Sequence, residues 1–386
     1  MNMYHNIKGN SIKLEQIIFE KIDNSGPITF AEFMEMALYY PHHGYYARGH
    51  VPIGRSGDFV TSPHASPVFG GVIALQLYEM WNLLGKDEFN LCEIGAGSGL
   101  FMHDILNYIR TNLPDFYSHL KVFIVEPIGS LEAVQRDLLK EFPCTWFNSL
   151  EEIGSINGCI VSNELIDAFP VHMIEKREEG FFEVYISHED RKHLTETYGS
   201  LSDERLQSYI HQYLGNVDLG YRTEINLILK DWLSEVANVL KKGFLFTIDY
   251  GFSRRDYYSP LRKRGTLRAF YQHTLSDDLY SNPGERDITH HVNFTDMLEW
   301  GSELNLQPIG FCNQWSFLAS LGIEKVIETL YPKGLDPFSP ALAGIKMLLL
   351  PQGMGDSHKF FIQAKGINSN VCLSGFKFQN KIDKLL

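Results

Sequence analysis

Phe89-Asn90-Leu91-Cys92-Glu93-Ile94-Gly95-Ala96-Gly97-Ser98-Gly99-Leu100 decides the fold. Phe89 to Ile94 is short and apolar and reads as a strand. Three glycines at alternate positions then turn the chain. Leu100 to Ile109 follows with Phe101, Ile105 and Tyr108 at helical spacing. Glycine lets the backbone turn tightly and approach a ligand closely. A helix opening at that point presents unpaired N–H groups and partial positive charge. Strand, glycine turn and helix in this order predict the start of a doubly wound α/β sheet.

The same rhythm runs downstream. Lys121 to Glu126, Cys144 to Phe147, Gly158 to Ser162 and Phe244 to Ile248 read as strands. Leu131 to Leu139 and Glu224 to Leu240 read as helices, with Gly243 placed to end the second. Strands alternating with helices imply parallel pairing through right-handed crossovers. Residues 171–200 interrupt the pattern with a hairpin around Glu179-Gly180, and residues 252–293 are polar and irregular. Leu306 to Phe317 and Lys359 to Ala364 read as late strands. Upstream, Thr29 caps a helix with Glu32 in the capping-box position, and Val68 to Gly85 reads as an amphipathic core helix. The expected division is a helical cover with a cofactor-proximal loop over 1–85, a core over 86–366 with insertions at about 171–222 and 252–293, and a tail over 367–386.

Composition narrows the partners. The 386 residues are 44% hydrophobic, as in an ordinary folded chain. Asp plus Glu number 47 against 34 for Lys plus Arg, a formal charge of -13. That sign repels phosphate backbones and argues against nucleic-acid binding. The 5 cysteines are odd in number and form no Cys-x-x-Cys, which argues against a disulfide framework or a zinc cage. Met1 to Ile22 has neither a signal-peptide apolar stretch nor an Arg-rich, acid-poor presequence, and no apolar run has transmembrane length. These features predict a cytoplasmic protein with no integral membrane segment and no metal.

The candidate chemistry sits at the carboxyl ends of the strands, where doubly wound sheets bind ligands. Glu126 ends the second strand and is placed to accept both hydroxyls of a ribose. Nicotinamide and flavin proteins share that much. Glu93, just before the glycines, suits a cationic amino group, and the loop lacks Gly-x-Gly-x-x-Gly spacing. Both points favour S-adenosylmethionine. The cofactor set read here is Glu93, Gly95, Gly97, Gly99 and Glu126, with Asn148 and Ser149 placed for the adenine edge. Asn163, Glu164 and Asp167 follow the fourth strand as candidate catalytic residues, although a turn accounts equally well for Asp167 alone. Methyl transfer is an in-line displacement, so its site must position a nucleophile and take up its proton. Asp249 and Tyr250 follow the fifth strand and are expected beside the substrate, or at a turn that Gly251 relieves. Arg268 with Asp287 is expected to form a polar network over the site, with His290 as a further substrate contact. The neighbouring side chains of His290 and His291 diverge, which disfavours a metal pair.

Taken together, Tyr39 to Tyr46, Gly57 to Pro63, Glu93 to Gly99, Asn163 to Pro170, Asp249 to Gly251, Gly265 to Phe270 and Pro283 to Val292 resemble the MidA-type family over about residues 10–365. That family includes the mitochondrial complex I assembly-factor arginine methyltransferases and their bacterial relatives. The resemblance implies a class I methyltransferase (Rossmann-like) fold, S-adenosyl-L-methionine as donor and arginine N-methylation of a protein partner; the sequence leaves the oligomeric state open, with a homodimer as one reading. It also implies that Asp58, Thr61 and Ser62 lie near the cofactor. His64 replaces an expected acid or other polar residue, and the lack of a presequence points to the bacterial branch. Methylation of a small molecule, or cofactor binding without catalysis, are the alternative readings.

Overall fold

In the computed structural model, residues 13–49, 61–215, 217–271, 274–368 and 371–386 are described. The central sheet has seven principal strands: β1 (Phe89–Ile94), β2 (Leu120–Val125), β3 (Cys144–Phe147), β4 (Ile156–Asn163), β5 (Leu240–Phe252), β6 (Gln307–Asn313) and β7 (His358–Lys365). Their order is β6-β7-β5-β4-β1-β2-β3. β1 to β5 pair in parallel, and β7 lies antiparallel between β5 and β6. Strand order therefore reverses between β1 and β4, the switch point where such sheets open a ligand crevice. Asp58 lies outside the described residues.

Period-two alternation gives each central strand two buried faces. On β5, Phe244, Phe246 and Ile248 join one core while Leu245 joins the other. On β7, Phe360 and Ile362 face the first core and Phe361 the second. The first core is closed by helices α3 (Val68–Leu84) and α4 (Leu100–Asn112), and the second by α6 (Ile228–Val239) and α7 (Phe294–Glu303). The small helix α5 (Gly129–Leu138) crosses from β2 to β3. This is the doubly wound α/β architecture expected. Truncating a fully buried ring such as Phe246 would cost about 3–5 kcal/mol.

A third core joins α1 (Leu14–Ser25) and α2 (Phe30–Tyr39) to the inserted segments. The hairpin around Glu179-Gly180 forms as His172–Arg177 and Gly180–His188, in an antiparallel sheet to which Ile28–Thr29, Leu194–Gly199 and Arg222–Ile225 also pair. Thr29 Oγ1 accepts the Glu32 N–H at 3.1 Å, as its capping position predicts.

Three expectations need correction. Glu224 and Ile225 are not helical: they pair with Met173 and His172 in that second sheet, and the helix starts only at Ile228. Asn226 Oδ1 accepts the Leu229 N–H at 2.9 Å and sets that start. Gly243 does not end the helix. It lies within β5 at φ +144°, opposite Gly158, where an added Cβ would sit 2.0 Å from the Gly158 carbonyl oxygen. Phe317 is helical (Gln314–Ser320), because β6 stops at Asn313. The irregular stretch after β5 holds a small sheet of Arg268–Tyr271, Thr274–Ser276 and Asp287–Thr289. Among the described residues no helix is long and apolar enough to cross a membrane.

Candidate active site

A cavity of about 600 Å³ opens at the switch point, over the carboxyl ends of β1, β2, β3, β4 and β5. One end is the glycine loop. Gly95, Gly97 and Gly99 all have positive φ, of +69°, +53° and +83°. At Gly95 an added Cβ would meet Leu165 Cδ1 at 2.7 Å. Gly95, Gly97 and Ser98 line the cavity, and α4 starts directly behind them. Gly99 lies off the lining: it caps α4, and a Cβ there would crowd Gln135 at 3.4 Å.

Two buried carboxyls flank this loop. Glu93 is 2% exposed and its Oε2 has no hydrogen-bond partner. Burial, with Glu126 nearby, raises its pKa to about 8. Glu126 follows β2, and burial raises it to about 7 against the pull of its hydrogen bonds. Its Oε1 accepts the Ile128 N–H at 3.1 Å and its Oε2 the Gln135 amide at 2.9 Å. The same Gln135 amide reaches the Gly97 carbonyl at 2.9 Å, and Trp146 Nε1 donates to Gln135 Oε1 at 3.0 Å. Gln135 thus ties the acid, the glycine loop and β3 together. Asn148 and Ser149 follow β3 and line the same end.

The segment after β4 lines the same cavity. Asn163, Glu164 and Asp167 all line the cavity. Glu164 is a non-glycine residue at φ +50°, held there by its N–H bond to the Ile248 carbonyl at 2.8 Å. Asn163 Nδ2 donates to its Oε1 at 3.3 Å, and His358 Nε2 of β7 is 3.6 Å from the same atom. Asp167 is buried and accepts the Tyr250 hydroxyl. Burial and the Asp249 carboxylate raise its pKa well above the usual range.

Asp249 itself lies beneath the cavity and does not line it. Its Oδ2 accepts the Ile166 and Asp167 N–H groups at 3.0 and 3.4 Å, fixing the turn that presents Asp167. Burial raises its pKa as well. Ser62 also departs from expectation: it is fully buried and donates to Gln314 Oε1 at 2.9 Å, while its neighbour Thr61 lines the cavity and meets His64 Nδ1 at 2.7 Å. His290 is buried behind the site. Its N–H holds the Asp167 carbonyl at 2.9 Å, and burial lowers its ring pKa to about 4. Arg268 and Asp287 do not act as a pair over the site. Asp287 lines it and accepts the Tyr46 hydroxyl at 2.9 Å, while Arg268 lies 3.6 Å from Asp277 and lines a separate cavity.

The structure adds residues that the site reading did not single out. Tyr39 and Tyr46, from the N-terminal cover, stack at 5.6 Å and wall one side. Tyr39 donates to the Ala168 carbonyl at 2.9 Å. Their signal was the aromatic density of Tyr39 to Tyr46, but nothing local says that it faces a strand end 129 positions away. Trp232 and Glu235 of α6 also reach the lining. Periodicity marks Trp232 as inward-facing and does not separate core from cavity wall.

A family described as S-adenosyl-L-methionine-dependent methyltransferase matches residues 72–312. The chain belongs to this family. The protein is a methyltransferase with S-adenosylmethionine as its cofactor, and the MidA-type resemblance holds. Among its relatives is the mitochondrial protein arginine methyltransferase NDUFAF7 of Rattus norvegicus, 27% identical over 88% of this chain and 82% of its own length. The Homo sapiens NDUFAF7 is 28% identical over 88% and 81%. A Burkholderia thailandensis crystal structure bound to S-adenosyl-homocysteine matches with a TM-score of 0.86 and 28% identity over 95% of both chains. A second structure from that organism, in native form, gives 0.83 and 29%.

Proposed function

We propose that this methyltransferase modifies an arginine side chain of a protein partner. One observation carries the reading: Glu93, Glu126, Glu164, Asp167, Glu235 and Asp287 line the cavity, and no lysine or arginine does among the described residues. Such a cavity favours a cationic cofactor and a cationic acceptor together.

The residues fit the two roles. The partnerless Glu93 carboxyl suits the amino group of the cofactor, Glu126 the ribose hydroxyls, and Asn148 with Ser149 the adenine edge. Gly95 and Gly97 leave room for close backbone approach. When bound, the cofactor supplies a methyl group activated on a sulfonium. Glu164 and Asp167 would hold the guanidinium and accept the proton that leaves the methylated nitrogen, and Asn163 would orient it. A guanidinium beside Asp167 would lower the raised pKa of that carboxyl. Tyr250 holds one oxygen of Asp167, and Asp249 fixes the turn that presents it. Tyr39 and Tyr46 would exclude water from the acceptor end. The arginine-methyltransferase relatives support the same acceptor.

The test is labelling. Purified protein and labelled S-adenosylmethionine are added to a lysate from a strain lacking the gene, and products are mapped by mass spectrometry. Methylarginine in a polypeptide is expected. Label that enters only small molecules, or no polypeptide at all, would overturn the proposal.

A further inference from the structure

A second cavity, of about 370 Å³, has the opposite character. Arg262, Lys263, Arg264 and Arg268 line it together with His291, and no carboxylate does. In a chain of net charge -13 this grouping is out of balance. Elsewhere the partly buried arginines sit in carboxylate networks: Arg222 with Glu175 and Glu196, Arg254 with Asp296 and Glu299. Lys263 and Arg264 have no such partner among the described residues and stay exposed. Arg262 is held by the Asp256 carbonyl at 2.5 Å and stacks over the Phe252 ring at 3.6 Å. Two acids lie close by: exposed Asp277 is 3.6 Å from Arg268, and buried Glu224 lies under Gly265 with one oxygen committed to Tyr257 and Thr266.

The position of this cavity is as informative as its charge. His291 stacks on Phe252 at 5.0 Å and meets Tyr250, the ring that donates to Asp167, edge-on at 5.2 Å. Its Nδ1 is buried without a partner. On one strand, Phe270 lines the large cavity and Arg268 the small one. Two residues of strand span about 7 Å. Residues two apart on one strand thus line the two cavities, a separation that two or three extended residues can span.

We propose that the cavity lined by Arg262, Lys263, Arg264 and Arg268 is a substrate subsite that takes a carboxylate of the polypeptide, from an acidic residue about two or three positions from the methylated arginine. This rests on the arginine reading, and its test separates the two. Full-length protein with bound S-adenosylhomocysteine is titrated by fluorescence anisotropy with two labelled peptides, one carrying Gly-Arg-Gly-Glu-Gly and one with glutamine replacing the glutamate. The acidic peptide should bind about tenfold tighter, and the preference should shrink with added salt. The double variant Lys263→Glu, Arg264→Glu should lose that preference while its melting temperature and S-adenosylhomocysteine affinity stay unchanged, since both side chains are exposed. Inorganic phosphate should compete with the acidic peptide. Equal binding of the two peptides, a preference that survives in the variant, or phosphate binding without peptide preference would each overturn the subsite. An empty labelling experiment in lysate would overturn the arginine reading alone, because the peptide preference is read without turnover.

Discussion

At the residue scale, Glu164 sits where fold and function conflict. A non-glycine residue in the left-handed region costs about 1–2 kcal/mol, and such strain is typically kept at sites that use it. Glu164→Gly should therefore melt no lower than the parent chain, and gain up to about 1 kcal/mol. Methyl transfer should fall by about 100-fold or more. A melting curve and a labelling assay on the same preparation check both halves; a large loss of stability would remove the strain argument. Glu93 gives a pH prediction. Its carboxyl binds a proton more tightly folded (about 8) than unfolded, where it is an ordinary acid. The folded chain carries more protons in that interval, so the stability of the ligand-free protein should decline as pH rises from about 4.5 to 8. The cofactor amino group favours the ionised carboxylate, so S-adenosylhomocysteine should bind tighter over the same range, by at most about tenfold per pH unit. Glu93→Gln should flatten that slope in calorimetry across pH 6 to 8.

At the element scale, the glycine loop was legible from sequence because its signals are local: an apolar strand, positive-φ residues and a helix start follow one another within eleven positions, Phe89 to Gly99. Gly95→Ala combines a strained φ with a contact to Leu165 Cδ1, so cofactor affinity should drop about tenfold or more while the fold survives. Isothermal titration reads it directly. Thr29 at the start of α2 was equally legible, and Thr29→Ala should cost about 1 kcal/mol in a thermal melt. Elements failed where partners are distant. Glu224 and Ile225 continue the apolar period of α6, yet are claimed by His172 and Met173 across about fifty positions. The same applies to the site. Glu93, Glu126, Asn163, Glu164 and Asp167 could be placed from strand ends. Ser62, Asp249 and His290 lie off the cavity, their side chains facing a buried glutamine, a turn and the core, which spacing alone does not distinguish from a place on its wall.

At the scale of the whole molecule, the two cavities divide the charge. Acids are gathered over the switch point and a cluster of cations beside it, so the net charge of -13 conceals a local reversal of field. Binding at the switch point joins β1, β2 and β4 to the N-terminal cover. S-adenosylhomocysteine at about 100 times its Kd should therefore add about 2.7 kcal/mol of stability, visible as a rise in Tm, while NADH should add none.

The position of β7 has a consequence for biosynthesis. Among the described residues it is the last strand in sequence, yet it lies between β5 and β6, and it carries His358 to within 3.6 Å of a Glu164 oxygen. Before residues 358–365 leave the ribosome, β5 and β6 have no shared neighbour, and each shows an unpaired backbone edge of the kind that recruits another chain. The nascent protein should depend on chaperones throughout that interval. A chain stopped before His358 should aggregate, even though every glycine of the cofactor loop is already in place.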